Sequence, residues 1–487
     1  MTEQPRTSFS SLQAEKTPRR RFLQGVLSGA GILAASGLVA ACSSQSAASP
    51  TAAPSGSAKA VAAPTTAPAA NSSSAASAAK PTTAATPAAQ AAPSGAGVSV
   101  QVRWNGLAKS ANDYVKKFVA DWNAKNTTKI NADFSDWGSS FQKITTGIAG
   151  GIAPDVFCGG GLWTPVIASA GGAHALDSYV KTFKDWSDWY PVTQQDVVWN
   201  GKIYAIPYET GTMENTAYRK SIFEQKGIKN PPSTWDDAKS LAKELTVRDG
   251  DTWKVTGWDF MVNNTTMVQD YEDCIDQIGS HIFNADKTKP TNNTPEGEEA
   301  LSFLVWFVEN KIMPAAGLGP HIPNVSGWST GIPAQGRMTY VDVQYAHDYA
   351  PKVLDDTIIA PPLKNVKRAQ VLYVDKYMMF SKSKHPDEAW QVLEGITTTD
   401  FLVTVFGEGD WALPARKAAA TAKFYQEPHI KVVVDNLQYA VPREAVPQSF
   451  DVQTTMSRIV ESAIRGATPV KDALKQMDDE VTKIMKG

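Results

Sequence analysis

The feature that most constrains this chain is a long tract that carries almost no side chains able to build a core. Between Ser43 and Gly97 there is no aromatic residue and no Leu, Ile or Met, and Val61 is the largest aliphatic side chain. Such a segment cannot bury enough apolar surface to offset the entropy lost when a chain becomes ordered. We therefore predict that 42–97 is a disordered tether and that the folded part of the chain is 98–487.

The composition of the folded part limits the kind of protein it can be. It is long enough for two lobes of ordinary size, and it holds all 14 tryptophans, from Trp104 to Trp411. Seven of the 47 basic and two of the 49 acidic residues precede it, which leaves 40 against 47 and a net charge of −7. A nucleic-acid partner would favour a basic surface, so none is expected. Cys158 and Cys274 could pair, but isolated cysteines are more often buried as small hydrophobic side chains.

The first 41 residues read as an export signal. Arg19 and Arg20 precede Arg, Phe and Leu, and this stretch resembles the twin-arginine signal. The uncharged run over 25–41 is 17 residues long and contains four glycines, so it lies at the lower edge of membrane-spanning length. We expect a cleaved signal peptide over 1–41 rather than a permanent transmembrane anchor.

The signal ends in Val-Ala-Ala-Cys, which resembles the lipobox of bacterial lipoproteins. That resemblance implies that Cys42 becomes the lipidated first residue of the mature protein and that the tether holds the folded part off the membrane. The protein would then be exported and anchored to the cell membrane, facing the outside or the periplasm. An ordinary cleaved signal that happens to contain a cysteine is the alternative.

The folded part begins with alternating strand and helix patterns. Valines alternate over 98–104, apolar residues recur at helical spacing over 110–122, and strand, helix and strand patterns follow up to 158. This alternation predicts a parallel sheet with helices on its faces, and hence an α/β fold. Further strands are predicted over 202–209 and 337–343, and further helices over 231–245, 294–310, 385–398 and near the carboxyl terminus.

Several stretches, in this order, resemble the extracellular solute-binding proteins of bacterial ABC importers, in the sugar-binding group of the maltose-binding protein. The two clearest are FQKITTGIAGGIAPDVF (141–157) and the segment from NGKIYAIPYETG to PPSTWDDAKSLAKELT (200–246). Three more landmarks are AQGRMTYVDV (334–343), SKSKHPDEAWQVLEGI (381–396) and TPVKDALKQ (468–476). The likeness covers essentially all of 98–487.

The resemblance implies a two-lobe periplasmic-binding-protein-like fold of type II, in which each lobe is a central sheet flanked by helices. On that pattern, lobe one comprises 98–208 with 373–420, and lobe two comprises 209–372 with 421–487. The lobes would close over a mono- or oligosaccharide in the cleft between them. The protein would act as a monomer without a cofactor and would present the sugar to the membrane permease subunits of an ABC importer.

A sugar site needs carboxylates and amides for hydroxyl groups and flat rings for C–H faces. Glu209, after the strand YAIPY, matches a sugar-contacting glutamate of the family, and the alternative is a hinge residue bonded to backbone. Tyr208 beside it is a candidate for the cleft or for the core. Trp163 follows the third strand in CGGGLWT, at the edge where such folds bind ligands. The alternative is that it begins a helix that is packed inward.

The remaining candidates come from matches to the second lobe and to a loop of the first. Trp258 and Asp259 match positions where the second lobe of the family presents an aromatic and a polar ligand contact. The alternative for Asp259 is that it only ends a strand. Tyr345 replaces a usual tryptophan, Asp342 nearby could accept a hydroxyl, and Trp411 in GEGDWALP matches a loop that lines the cleft or packs against it. The family often has paired glycines where this chain has Val-Asp-Lys at 374–376, so the sequence leaves the ligand open.

Three other functions compete with sugar binding. The same fold could bind a polyamine, a phosphate ester, a metal complex or a peptide, and the chain could be a structural surface protein without a hinge. Glu209 and Asp342 could instead be the acid and base of a glycoside hydrolase, although no nucleophile motif is present. The six histidines are too scattered to predict a metal site.

Overall fold

The computed structural model describes residues 97–262, 267–319 and 325–487. The chain divides into two compact units, Met1–Ala88 and Ala89–Gly487, and every described residue belongs to the second unit. The predicted export signal with Arg19 and Arg20, the lipidated Cys42 and the tether up to residue 96 lie outside the described residues.

The secondary structure of the described residues alternates strands and helices along most of the chain. The strands are β1 (Ser99–Asn105), β2 (Lys129–Ser135), β3 (Val156–Gly159), β4 (Val198–Trp199), β5 (Lys202–Ile203), β6 (Ala205–Met213), β7 (Asn215–Arg219), β8 (Val247–Asp249), β9 (Thr252–Val255), β10 (Gln335–Met338), β11 (Thr357–Ala360), β12 (Gln370–Met379), β13 (Leu413–Pro414) and β14 (Ala440–Pro442). The helices are α1 (Lys109–Lys125), α2 (Trp137–Gly150), α3 (Trp163–Ser169), α4 (Asp177–Val180), α5 (Pro191–Asp196), α6 (Lys220–Gln225), α7 (Trp235–Leu245), α8 (Val268–Ile278), α9 (Pro295–Glu309), α10 (Tyr340–Tyr349), α11 (Pro351–Asp355), α12 (Pro386–Ile396), α13 (Thr399–Leu402), α14 (Pro428–Asp435), α15 (Ser449–Ile464) and α16 (Val470–Lys486).

The larger sheet has seven strands in the order β13-β6-β12-β3-β1-β2, with β14 paired to β12. β1 lies parallel to both β2 and β3, which confirms the parallel sheet predicted from the amino-terminal strand and helix patterns. β12 comes from much later in the chain and runs antiparallel to β3 and β6. Because β1, β2 and β3 run parallel, their carboxyl ends lie at the same edge of the sheet.

A smaller sheet of three antiparallel strands has the order β10-β7-β11. The backbone passes directly from the larger sheet to the smaller one, because β6 ends at Met213 and β7 begins at Asn215. The return path runs from β11 of the small sheet to β12 of the large sheet, and β14 pairs with the first residues of β12. Long strands thus connect two sheet-based bodies.

The strand predicted over 337–343 is only partly correct. β10 ends at Met338, and α10 begins two residues later. Thr339 caps α10, since its hydroxyl accepts a hydrogen bond from the Asp342 amide while the Asp342 carboxylate accepts one from the Thr339 amide. This reciprocal cap satisfies two amides at the start of the helix, so the chain turns into a helix instead of extending the strand.

The described residues form five groups of buried apolar side chains, and the three largest hold most of these elements together. One group lies under the larger sheet and includes Trp104 and Tyr377, whose hydroxyl accepts a hydrogen bond from the Trp104 indole at 2.8 Å. A second group, with Trp258 and Phe307, is enclosed by helices that include α7, α8, α9, α15 and α16. A third contains side chains from both sheets, among them Val374 of β12 and Ala217 of β7. The apolar core is therefore continuous from one sheet to the other.

The two cysteines of the folded part do not form a disulfide. Cys158 and Cys274 are both free and buried, and they belong to separate groups of the core. Each acts as a small apolar side chain, as the sequence favoured.

A buried ion pair joins α8 to the segment after β14. Arg443 donates from Nε and Nη2 to the two carboxylate oxygens of Glu272 at 2.7 and 2.9 Å, and both side chains are almost completely buried. The Arg443 guanidinium also lies 4.7 Å from the ring centre of Tyr373 on β12. Because a buried charge without its partner is costly, this pair holds the late segment to the rest of the fold.

None of the helices within the described residues combines the length and the apolar run needed to traverse a bilayer.

Candidate ligand-binding cleft

Two carboxyl groups face each other where the two long strands of the larger sheet run side by side. Glu209 of β6 is the register partner of Asp375 of β12. Glu209 is only 7% exposed, and its Oε2 has no hydrogen-bond partner. Buried polar atoms in folded proteins are nearly always bonded, so an orphaned carboxylate oxygen at this position indicates a place for a ligand.

The neighbouring lysine does not neutralise this pair. The strand register shifts between Asp375 and Lys376. The buried Lys376 ammonium donates to the Gly161 carbonyl at 3.3 Å and to the Thr164 hydroxyl at 3.2 Å, and it forms an ion pair with Asp196. Its charge is therefore directed at another carboxylate.

Burial favours the protonated forms of the two carboxyl groups. Burial raises the pKa of Glu209 well above that of an ordinary glutamate, and the negative charges of Asp375 and Asp410 raise it further. Burial also raises the pKa of Asp375 to about 6. Because both groups resist ionisation together, the pair can donate one hydrogen bond and accept others, which suits a hydroxyl group.

We expect the ligand-free protein to lose thermal stability as the pH rises. Burial raises the pKa of Asp375 to about 6 and that of Asp273 and Asp276 to about 8, against 3.8 for an ordinary aspartate. The native state therefore binds protons that the unfolded chain has released, so this contribution is complete below about pH 4 and is lost as the pH rises towards about pH 8.

The melting temperature, measured by differential scanning fluorimetry at about pH 5 and about pH 8, should be lower at the higher value. Asp375→Asn should reduce the difference, whereas Glu394→Gln, an exposed change on α12, should not. A melting temperature that rises across this range would contradict the pKa directions.

Two loops of the larger sheet meet beside the carboxyl pair. The Ala108 amide, in the loop after β1, donates to Asp410 at 2.9 Å, and the Ser110 hydroxyl donates to the Gly409 carbonyl at 2.7 Å. Burial raises the pKa of the hydroxyl of Tyr340, the first residue of α10, and the charges of Glu209, Asp410 and Asp375 raise it further. The helix that follows the smaller sheet therefore begins within electrostatic range of the carboxyl pair.

Asn105 and Trp137 lie at the carboxyl edge of the parallel strands, and the sequence did not single them out. Asn105 ends β1 and donates to the Cys158 carbonyl at 2.9 Å, while its buried Oδ1 has no partner. Trp137 begins α2 after β2 and is 38% exposed. Its ring occupies the space of a Cβ on Gly106, whose φ of 64° also favours glycine. An exposed ring at this edge can stack on the C–H face of a sugar.

Tyr208 and Trp163 are packed in the core next to the site. The Tyr208 ring is stacked on Phe406 at 4.4 Å and lies 4.6 Å from the ring of Tyr377, and Tyr208 is almost fully buried. Trp163 is also buried and makes an edge contact with Trp137 at 6.3 Å. Their contact with a ligand stays a prediction, and Trp163 is placed to support the exposed ring of Trp137.

Three of the candidates from the second lobe, Trp258, Asp259 and Asp342, are completely buried. Trp258 stacks on Phe307 at 5.1 Å. Asp259 accepts a hydrogen bond from the Gly327 amide at 2.9 Å, and its other oxygen has no partner. Asp342 accepts hydrogen bonds with both oxygens, one from Ser326 and the other in the cap of α10. These contacts give Trp258 and Asp342 structural roles, and their contact with a ligand stays a prediction.

Tyr345 and Trp411 are partly exposed. The Tyr345 ring is tilted against that of Tyr349 along α10, with ring centres 4.6 Å apart. Trp411 follows Asp410 and has a φ of 63°, an uncommon value for a side chain of this size, and its ring lies 4.7 Å from that of His347. Such strain is held in place by the surrounding packing and is common at ligand sites, so Trp411 remains a candidate for ligand contact.

We expect Trp258 to stabilise the fold rather than to bind ligand. Trp258→Ala should lower the free energy of unfolding by about 3–5 kcal/mol, because it leaves a large cavity beside Phe307. Trp258→Phe should cost less and leave ligand affinity unchanged, as measured by denaturant unfolding and by titration. A folded Trp258→Phe variant with strongly reduced affinity would instead make Trp258 a ligand contact.

A large groove lies elsewhere. It has a volume of about 870 Å³ and is formed between α5 and the segment 420–440, with Tyr190, Gln195, Lys431 and Gln438 among its lining residues. None of the predicted site residues lines it. Within the described residues, no group of three or more His, Cys, Asp or Glu side chains is arranged to hold a metal ion.

Comparison with known proteins agrees with this architecture. The structure of the sugar-binding protein MalE from Xanthomonas citri superposes with a TM-score of 0.69 at 17% identity, covering 80% of this chain and 98% of that one. A cyclic α-maltosyl-1,6-maltose binding protein from Arthrobacter globiformis superposes with a TM-score of 0.68 at 21% identity, covering 80% and 99%. These likenesses show the two-lobe fold with an α/β sheet in each lobe.

The sequence itself matches in the same region. A putative binding protein of Brucella abortus is 25% identical over 307 residues, which cover 61% of this chain and 71% of that protein. The family described as bacterial extracellular solute-binding protein matches residues 108–401. More than half of the chain is included in that match, and the chain belongs to the bacterial extracellular solute-binding protein family.

Proposed function

We propose that this protein captures a mono- or oligosaccharide between its two lobes and delivers it to the membrane subunits of an ABC importer. The observation that carries the proposal is the buried Glu209 carboxyl opposite Asp375, whose Oε2 has no hydrogen-bond partner, on the strands that join the two sheets. The structural neighbours named above as sugar-binding support a sugar as the solute.

Ligand capture would proceed by bending between the lobes. We propose that 98–208 with 373–420 moves as one body and that 209–372 with 421–487 moves as the other. The passages between the sheets at β6–β7 and β11–β12, and the pairing of β14 with β12, support this division. A ligand that contacts both bodies favours the closed arrangement, because only that arrangement makes all of the contacts.

The test is a thermal-shift screen of residues 98–487 against mono- and oligosaccharides. This part contains both sheets and the three largest core groups, and it corresponds to nearly the full length of the solved neighbours. A ligand that binds only the native state raises the melting temperature, so at least one sugar should do so. If a polyamine, phosphate ester or peptide shifts the transition and no sugar does, the sugar assignment is wrong.

We propose binding without catalysis. A glycoside hydrolase holds its two carboxyl groups about 5 Å or more apart across the scissile bond. Glu209 and Asp375 instead lie side by side on paired strands, and Asp342 is committed to the cap of α10. Prolonged incubation with the sugar that binds should leave it uncleaved, and turnover that disappears in Glu209→Gln would establish an enzyme.

We propose that Cys42 anchors the exported protein in the cell membrane. The basis is the sequence Val-Ala-Ala-Cys at the end of the apolar run. In cells that make the full chain, Cys42→Ser should move the protein from the membrane fraction to the soluble extracellular or periplasmic fraction. A variant that stays in the membrane fraction at the wild-type level would show that the anchor lies elsewhere.

A further inference from the structure

The carboxyl pair of the candidate cleft forms no ion pair within 97–262, 267–319 and 325–487. Neither Glu209 nor Asp375 is a member of the ion pairs found there. Lys376, next to Asp375 in the sequence, acts on its charge but forms its ion pair with Asp196. The described part of the chain therefore places two acidic groups together without a basic group bonded to them.

A second observation indicates that the ligand supplies the missing donor to this pair. The Oε2 atom of Glu209 is buried and unpartnered, although more than nine-tenths of this side chain is out of solvent. Glu272 provides a contrast, because both of its buried oxygens bind Arg443. An acceptor left open at the centre of a site is complementary to a donor on the ligand.

A nearby carboxylate also favours a positively charged ligand. Asp410 adds a third negative charge that acts on Glu209. A hydroxyl group satisfies one open acceptor, whereas an ammonium supplies three donors and a positive charge for two carboxylates.

We propose that the ligand of this cleft carries a protonated amine, as an amino sugar does, and that its ammonium binds between Glu209 and Asp375. The inference rests on the proposed function and narrows its substrate class. In the empty site, burial and the neighbouring negative charge favour a proton between the two carboxyl groups. The ammonium takes the place of that proton, which is released to solvent, and both groups then accept hydrogen bonds as carboxylates.

The test is isothermal titration of residues 98–487 with sugars that differ only at carbon 2. Glucosamine, N-acetylglucosamine and glucose form one set, and the corresponding β-1,4 disaccharides form a second. The amine member should bind at least about tenfold more tightly than its hydroxyl counterpart, because it forms charge-assisted hydrogen bonds that the hydroxyl cannot. Asp375→Asn should reduce this ratio to near one, and Glu394→Gln should leave it unchanged.

The outcomes separate this inference from the function on which it rests. If the hydroxyl or acetamide members bind as tightly as the amine, the ligand is a neutral sugar, and the inference is overturned while sugar capture stands. If no carbohydrate binds in this titration or in the thermal-shift screen, the proposed function and the inference both fall. If the amine preference persists in Asp375→Asn and in Glu209→Gln, the ammonium binds elsewhere and the assigned residues are wrong.

Discussion

Glu209→Gln should weaken binding of the cognate sugar by roughly 10- to 100-fold while it stabilises the ligand-free protein. The affinity falls because the Glu209–Asp375 pair keeps a negative charge in the complex, a hydrogen bond to a charged group contributes about 1.5–3 kcal/mol, and the amide cannot accept with both terminal atoms. Stability rises because the substitution removes a buried acidic group that burial, Asp375 and Asp410 all hold away from ionisation. Opposite effects on binding and on stability are typical of a site in which a poorly accommodated group is kept for its ligand.

Titration calorimetry and thermal denaturation of the same preparations measure both effects. Glu394→Gln is the matched control, since it makes the same chemical change on the exposed side of α12. Unchanged affinity in a folded Glu209→Gln variant would remove Glu209 from the ligand site.

Glu272→Ala should lower the free energy of unfolding by about 3–5 kcal/mol, because it leaves the charge of Arg443 buried without a partner. Arg443 lies after β14 and Glu272 lies on α8, so their pair fastens the late part of the chain to the helical core. Guanidinium unfolding monitored by circular dichroism measures the change.

The double variant Glu272→Leu with Arg443→Met separates charge from packing. Replacing a buried pair by apolar side chains of similar size is often neutral or stabilising, so the double variant should recover much of the loss. If Glu272→Ala changes the unfolding free energy by less than about 1 kcal/mol, water reaches Arg443 and the pair does not fasten the fold.

Local patterns in the sequence predicted the local parts of this fold. The alternation over 98–158 gave β1, α1, β2, α2 and β3 in order, and the parallel pairing of the three strands followed from it. The wrong strand prediction over 337–343 could have been corrected from the local sequence. Thr339 and Asp342 have the spacing of a capping box, yet the run over 337–343 was assigned to a strand because its apolar residues alternate.

The candidate site depends on contacts that local patterns do not contain. Glu209 could be singled out from a motif, but its partner Asp375 lies 166 positions later and is placed by the register of β6 and β12. The same segment departs from the family pattern, and that departure was the only sign of it in the sequence. Burial is equally nonlocal: Trp258 and Trp137 are both tryptophans beside polar residues, and only the fold buries the first and exposes the second.

The central claim is that a sugar binds between the lobes against Glu209. A crystal structure of residues 98–487 with the sugar that gives the largest thermal shift tests it most directly. The account predicts that the sugar lies against Glu209 and Asp375, close to Asn105 and the loop that carries Asp410. A sugar bound in the groove between α5 and 420–440, with the Glu209 carboxyl untouched, would contradict it.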